Sequence, residues 1–594
     1  MKKTDVQNSV VTDNYSYSSC LILLFIIFLG LIVRVLGVNF GLPFRYHNDE
    51  PIVVNYALAY GSGDLNPHFF YVPPLLSYFL FFEYSVYFAL GMISGVFSSL
   101  LDYQFLYLTD PSSFYLVGRI SIGVVFGTLT ILLLYLIGKR LFSEKVGLLS
   151  AFFLSLTFLH VRDSHYIYFD IPLTFFTLLT ILFMFRFMDT KAIRDLILTS
   201  IAIGITTATK YNGVLVIIPI TLAYFLLYAK EGRCLKEILL DKRLYIIPLV
   251  SGLTFVVCNP FSIIDFRQFF HDMTSMPMSP PGVLYHLKYS LRLGMGTPLL
   301  ILCLGGVIYA FINLQNKVVV LLVFIGISYA ILCYSSQTAE RYVLPIIPLL
   351  ILVGAWFLTE ILSKFKTSKS RKTLILVCSS ILIVFPSAVK VAYSDYLFLQ
   401  KDSRTIALEW IQDNIPFGTN IAVDITTDSH PRLVQSKRQL SKSNMHTERA
   451  IFKRPKGSIN KKRELQLKNP YYPVETYNLF YLKDNPGFGF SGTFPDLPFK
   501  WDDIRDKNIQ YMVIGGSMYM PEFNNFFEKI GEKAELLMEI NPYKNKERYH
   551  STEVSGITGI HFVDSELRGR ERNGGVIKIY RVKNSKLRWE RDKF

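Results

Sequence analysis

The sequence predicts a polytopic α-helical membrane protein with a C-terminal, extracytoplasmic α/β domain. Three observations lead there. Long apolar runs recur between residues 19 and 393, each about 17 to 25 residues, the length that crosses a hydrocarbon core of roughly 30 Å. Lys and Arg crowd one set of the connections between these runs and are sparse in the other. Beyond residue 394 the runs stop, and Lys, Asp, Asn and Pro become frequent.

The chain has 594 residues, 51% of them hydrophobic, and a mean hydropathy of +0.32, which excludes one compact soluble domain. Its formal charge is +16. In a membrane protein, excess Lys and Arg is first read as retention on the cytoplasmic face, and with no zinc-finger or RNP-type motif we expect no nucleic-acid partner.

Eleven spanning helices are expected, at about 19–38, 114–137, 146–160, 171–187, 195–209, 211–228, 244–259, 297–314, 318–334, 342–360 and 373–393. The first run is too long for a signal-peptide core and lacks a small-x-small cleavage site, so it reads as a retained helix. The pair flanking Lys210 also admits one long bent helix. The connections GKRLFSEK, RFMDTKAIR, KEGRCLKEILLDKR and KFKTSKSRK are basic, whereas 39–113, 160–170, 260–296 and 335–341 are poor in Lys and Arg. Placing the basic set inside obeys the positive-inside rule at each of them. The N-terminus is then cytoplasmic and 39–113 is the first extracytoplasmic loop of a multi-pass inner (plasma) membrane protein. Residues 75–97 are apolar enough to span, but spanning would swap the sides of every later loop. They are read as a juxtamembrane helix in the outer leaflet, with Glu83 facing protein or water because a lipid-facing carboxylate is costly.

Residues 1–393 thus form the membrane domain and 394–594 the soluble one. In the latter, SRTIALEWIQDNIP has helical spacing and ends at Pro416, while IAVDI, YMVIGG and GVIKIYRV read as short buried strands. Helices alternating with strands indicate α/β architecture. The basic stretch 432–468 reads as a solvated insertion. All six cysteines precede residue 380, so no disulfide framework holds the soluble domain.

Ionisable residues collect in the connections assigned outside. In RYHNDEP, Asp49 and Glu50 are either loop and N-cap carboxylates or a base that takes a hydroxyl proton, with His47 beside them. HVRDSHYIYFDIP brings Arg162, Asp163, His165 and Asp170 between two membrane helices, where ionisable groups point to function. N-capping is the simpler reading of Asp170. Such residue types leave a divalent metal open, but the spacing HxxDxHxxxxD matches no metal motif, and no cofactor is assigned. In ATKYNGV, Lys210 and Tyr211 interrupt an apolar stretch, and the lysine either snorkels or pairs with a phosphate. Arg341 and Tyr342 open a late helix, whose N-terminus favours an anion. Carboxylates for a hydroxyl and cations for a phosphate are the parts that glycosyl transfer from a lipid phosphate requires.

The ordered set HNDEP, FFYVPPLLSYF, GRISIGVVFGTLTILLLYLIGKRLF, RDSHYIYFDIPLTFF, ATKYNGV and ERYVLPIIPLL resembles the GT-C superfamily of membrane glycosyltransferases, near the protein O-mannosyltransferases and the lipid A aminoarabinose transferases. SRTIALEWIQDNIPFG and GVIKIYRV also look like members of this group, so the likeness covers about 19–425 and the final strand. The resemblance implies a GT-C-like fold and inverting transfer from a polyprenyl-phosphate sugar on the extracytoplasmic side, to a lipid, glycan or protein acceptor. It implies that Asp49 is the catalytic aspartate, Glu50 its acidic neighbour and Asp170 the acidic residue after the second outer loop. Lys210 and Arg341 fall where cations meet the lipid phosphate. In one respect the chain departs: Tyr71 and Val72 stand where aminoarabinose transferases carry Glu-Lys, which argues against that specificity and against a metal. Two other classes remain as alternatives: a transporter or flippase of lipid-linked glycans, which would show repeats, and a polymerase, which would carry more outer-loop arginines.

Overall fold

The computed structural model describes residues 17–47, 49–274, 283–334, 339–425, 430–442, 458–482, 496–519, 523–544, 567 and 569–583. Helices dominate up to residue 414. The first, α1 (Tyr17–Val35), is followed by α2 (Glu50–Ala59), α3 (Leu75–Ile93) and α4 (Leu100–Thr109) in the expected outer loop. Next come α5 (Ser112–Leu141), whose middle is a π-helical segment, α6 (Glu144–Ser155), α7 (Phe158–Asp163), α8 (Asp170–Thr190) and α9 (Ile193–Thr209). The membrane part closes with α10 (Ile217–Ala229), α11 (Ile246–Cys258), α12 (Thr297–Ile312), α13 (Asn316–Tyr334), α14 (Ile347–Ser363) and α15 (Lys369–Leu399).

Among the described residues seven helices are long and apolar enough to cross a membrane, or eight counting the pair 283–295 and α12, bent by 119°. Eleven spans were expected. The difference lies in short elements such as α6 (12 residues), α11 (13) and α14 (17). Helix α14 is buried on nearly every face; a helix apolar all round belongs to a protein core or to a membrane span, and α14 is one residue shorter than the 18 that the seven reach. Helix α3, read as juxtamembrane, is among the seven by length and composition, with the lowest mean hydropathy of the set, 1.4. It packs on α2 and Phe114, and Glu83 accepts a hydrogen bond from Ser121 at 2.8 Å. Side chains such as Leu249, Val257, Ile308 and Leu382 point outward, as lipid-facing residues do. Helices α5 and α6 approach closely because a Cβ on Gly138 would lie 2.7 Å from the Gly147 Cα.

Three of the four basic connections meet at one end of the bundle. Asp189 accepts from Arg140 at 2.9 Å and from Lys317 at 2.5 Å, and Lys191 pairs with Glu231. At the opposite end sit the first loop and the soluble domain, which begins with α16 (Ser403–Asn414), capped by Asp402.

The C-terminal region holds, among the described residues, one six-stranded sheet of order β3-β2-β1-β4-β6-β5, built from β1 (Asn420–Asp424), β2 (Asn478–Leu482), β3 (Asp496–Leu497), β4 (Tyr511–Ile514), β5 (Ala534–Ile540) and β6 (Ile577–Val582). Strands β1 to β4 run parallel, while β6 is antiparallel to both β4 and β5. Strands β1 and β4 are buried on both faces, Ile421 and Val423 toward one core and Ala422 toward the other, as central parallel strands must be. Of the basic stretch 432–468, Lys437–Lys442 and Ser458–Lys468 are helical, and 443–457 lies outside the described residues.

Candidate active site

Four residues from four separate segments converge at the end of the bundle that carries the soluble domain. Asp49 sits at the N-cap position of α2, yet makes no capping bond. Its carboxylate lies 3.0 Å from an Nη of Arg341. Arg341 belongs to a 3-10 turn, Glu340–Val343, ahead of α14, and its Nε is 3.4 Å from Asp170. Asp170 is the first residue of α8, also without a side-chain cap. Its other oxygen takes a 2.7 Å bond from the Lys210 ammonium. The row Asp49, Arg341, Asp170, Lys210 therefore alternates in charge, and N-capping is not what either aspartate does.

Local structure explains the convergence. Lys210 is extended (φ −155°, ψ 133°) and separates α9 from a 3-10 turn, Tyr211–Val216. Two helices thus flank it, rather than one bent one, and its side chain is free of a helix surface. Aromatic rings back the cations: Tyr342 lies 4.2 Å from the ammonium, and Tyr168 4.3 Å from the Arg341 guanidinium. Burial opposes the Arg341 charge, but Tyr168, Asp49 and Asp170 outweigh it and hold the guanidinium above its ordinary range. Burial lowers the Lys210 ammonium, against the pull of Asp170. Exposure falls from 26% for the Asp49 side chain to 3% for Asp170 and rises again to 17% at Lys210, so the row is buried at its middle and most open at Asp49.

The other expected residues occupy a supporting layer. Glu50 is fully buried and grips Arg119 through two 2.7 Å bonds; Arg119 also donates to the carbonyls of Val38 and Phe40. The structure thus separates the two adjacent carboxylates. His47 accepts the Asp49 and Glu50 amide protons on Nδ1, at 3.2 and 3.3 Å, and so caps α2. Arg162 binds Asp163 and Glu340 at 2.9 Å each, which ties the second loop to the turn bearing Arg341. His165 lies between the carbonyls of Val161 and Leu36, at 3.0 and 2.9 Å, and burial pushes its imidazole down to about 4. The Tyr211 ring packs toward Phe255 and Phe269. Among the described residues no group of three or more His, Cys, Asp or Glu is placed to hold a metal.

Sequence reasoning passed over Arg119, Tyr168 and Glu340. Arg119 lies inside an apolar run, the kind of position that signals a buried partner. Tyr168 and Glu340 carry no comparable mark.

Beside Tyr342 a narrow apolar cleft runs between α8, α13 and the start of α14, lined by Leu173, Leu215, Phe324, Ile331, Leu332 and Ile346 among others. A second, shallow cleft, rich in Tyr, Phe and Pro, lies between α2 and the loop before α3.

Residues 114–262, which carry Asp170 and Lys210, match the family model described as dolichyl-phosphate-mannose-protein mannosyltransferase. The resemblance to membrane glycosyltransferases read from the motifs is therefore shared by that family model. Solved structures similar to this chain include ArnT from Cupriavidus metallidurans bound to undecaprenyl phosphate (11% identity, 95% of this chain and 98% of that one, TM-score 0.47). An oligosaccharyltransferase of Archaeoglobus fulgidus tethered to an acceptor peptide is another (11% identity, 86% and 70%, TM-score 0.49). So is the S. cerevisiae Pmt1-Pmt2 complex bound to its sugar donor (21% identity, 43% and 34%, TM-score 0.31). No curated protein sequence matches the chain.

Proposed function

We propose that this chain is an inverting glycosyltransferase that moves a sugar from a polyprenyl-phosphate donor to an acceptor hydroxyl on the extracytoplasmic side of the membrane. The observation that carries this reading is the charge row Asp49–Arg341–Asp170–Lys210, whose Lys210 ammonium packs on Tyr342, a residue in the wall of an apolar cleft. An isoprenoid chain needs an apolar groove and its phosphate needs cations, and here the two adjoin. Asp170 holds both cations toward the phosphate.

Asp49 acts as general base from the exposed end of the row. The acceptor oxygen bonds to the anomeric carbon as the carbon–phosphate oxygen bond breaks, and the hydroxyl proton passes to the Asp49 carboxylate. The leaving group is already a phosphate, so it departs as polyprenyl phosphate on Lys210 and Arg341 and needs no protonated acid. Glu50, His47 and Arg162 hold the frame around these groups.

Purified protein should release polyprenyl phosphate when a panel of undecaprenyl-phosphate sugars is supplied with extracts containing lipid, glycan and protein acceptors. A flippase would leave the sugar–phosphate bond intact. Movement of intact donor across vesicles without release would sink the proposal.

A further inference from the structure

The helix α16 that opens the soluble domain reaches back to the segment bearing Asp49. Arg404 is 2% exposed, and its guanidinium lies 3.9 Å over the Tyr46 ring. Asp402 fixes that guanidinium through bonds of 2.9 and 2.8 Å. Thr405 Oγ1 meets the Tyr46 hydroxyl at 3.0 Å. Tyr46 is fully buried, and the next residue, His47, receives the Asp49 and Glu50 amides. Behind α16 the segment before β6 closes the joint. Ser403 donates to the carbonyls of Asn573 and Gly575, at 2.9 and 2.8 Å. Gly574 (φ +96°) permits this approach, since a Cβ there would lie 2.1 Å from Ser403 Oγ.

We propose that Arg404, with Thr405, is a positioning residue for the transfer: through Tyr46 and His47 it sets where the Asp49 carboxylate stands, which gives the soluble domain a part in the chemistry. The inference rests on the function proposed above. Arg404 reaches Asp402 and Tyr46, whose carbonyl accepts from it at 3.5 Å. A carboxylate displaced by about 1 Å loses on the order of a hundredfold in rate, while cations held by Asp170 keep their grip on phosphate. The signature is a loss in kcat without a loss in donor affinity.

The test uses the full-length chain. Affinity is measured with undecaprenyl phosphate, and turnover with whichever undecaprenyl-phosphate sugar the parent consumes. Arg404→Met should lower kcat by about tenfold or more and leave the undecaprenyl phosphate Kd within about twofold. Arg404→Lys, which keeps a cation for Tyr46, should restore much of the loss. Thr405→Val, which removes only the bond to the Tyr46 hydroxyl, should lower kcat by a few-fold and serves if Arg404→Met fails to fold. A parental kcat in Arg404→Met, or in Thr405→Val where Arg404→Met does not fold, overturns the inference. So does a parallel loss of kcat, phosphate affinity and thermal stability, the mark of a merely structural residue. Asp49→Asn separates the two proposals. An inactive Asp49→Asn beside a fully active Arg404→Met discards the positioning role alone, whereas an active Asp49→Asn discards the base.

Discussion

Arg341 lies between two carboxylates, 3.0 Å from Asp49 and 3.4 Å from Asp170. In the proposed reaction a phosphate competes with Asp49 for that guanidinium, and its arrival releases the base. Asp49→Asn removes the competitor and the base together. It should bind undecaprenyl phosphate as tightly as the parent or more so, and lose about 10²–10⁴-fold in turnover. Binding and single-turnover assays on one preparation check both halves. Weakened phosphate binding in Asp49→Asn would show that the aspartate organises the cations instead.

Lys210 and Asp170 make a second pair, at 2.7 Å. Charge-assisted bonds to phosphate are worth roughly 1.5–3 kcal/mol each, so Lys210→Ala and Arg341→Ala should each weaken undecaprenyl phosphate by about tenfold or more. Asp170→Asn loosens both cations and should affect binding and turnover together. Parental affinity in both cation variants would remove the phosphate from this site.

Glu50 and Arg119 have another role. Removing one partner of a buried ion pair strands a charge, at a cost of about 3–5 kcal/mol. Glu50→Gln and Arg119→Met should therefore lower the unfolding temperature in detergent. A Glu50→Gln protein of parental stability and no turnover would instead make Glu50 chemical.

Much of this architecture is legible in the sequence, for identifiable reasons. Apolar runs long enough to span announce themselves, and so do ionisable residues that interrupt them, such as Asp170 and Lys210. Span number is less legible, because short apolar helices such as α11 and α14 share the composition of the longer ones and differ from them in length. Adjacent residues can be told apart too: side chains next to each other diverge, and α2 begins between Asp49 and Glu50 and sends one side chain to Arg341 and the other to Arg119. Strands β2, β3 and β5 went unnoticed, since their edges mix polar and apolar residues and their partners are distant in the chain. The link from Arg404 to Tyr46 spans 358 residues, a separation at which periodicity carries no signal.

His165 should confer an acid-side loss of stability. Burial lowers its imidazole from 6.5 to about 4. A neutral ring has one N–H, which serves the carbonyl of Val161 or of Leu36. Above about pH 6.5 both folded and unfolded states hold the neutral ring, and His165 adds no pH dependence. Between about 6.5 and 4 the unfolded chain takes up the proton first, so stability falls with falling pH. The thermal stability of the parent should drop more steeply over that window than that of His165→Gln. Identical slopes would count against the lowered value.

The orientation of the chain is the broadest prediction. The contacts of Asp189 with Arg140, and of Lys191 with Glu231, gather three of the four Lys- and Arg-rich connections at one end of the bundle, and Lys317 joins them on Asp189. The charge row and the soluble domain lie at the other. Short loops rich in Lys and Arg stay in the cytoplasm, so the basic end should face inward and Asp49, Lys210 and the sheet should face outward. Donor sugars on a polyprenyl phosphate then meet acceptors outside the cytoplasm. A reporter that is active only in the cytoplasm should stay silent when fused behind Phe594 and work when inserted in the connection between α10 and α11 that carries Glu231. The reverse pattern would put the charge row inside the cell, and the transfer proposed for it could not take place on the extracytoplasmic side.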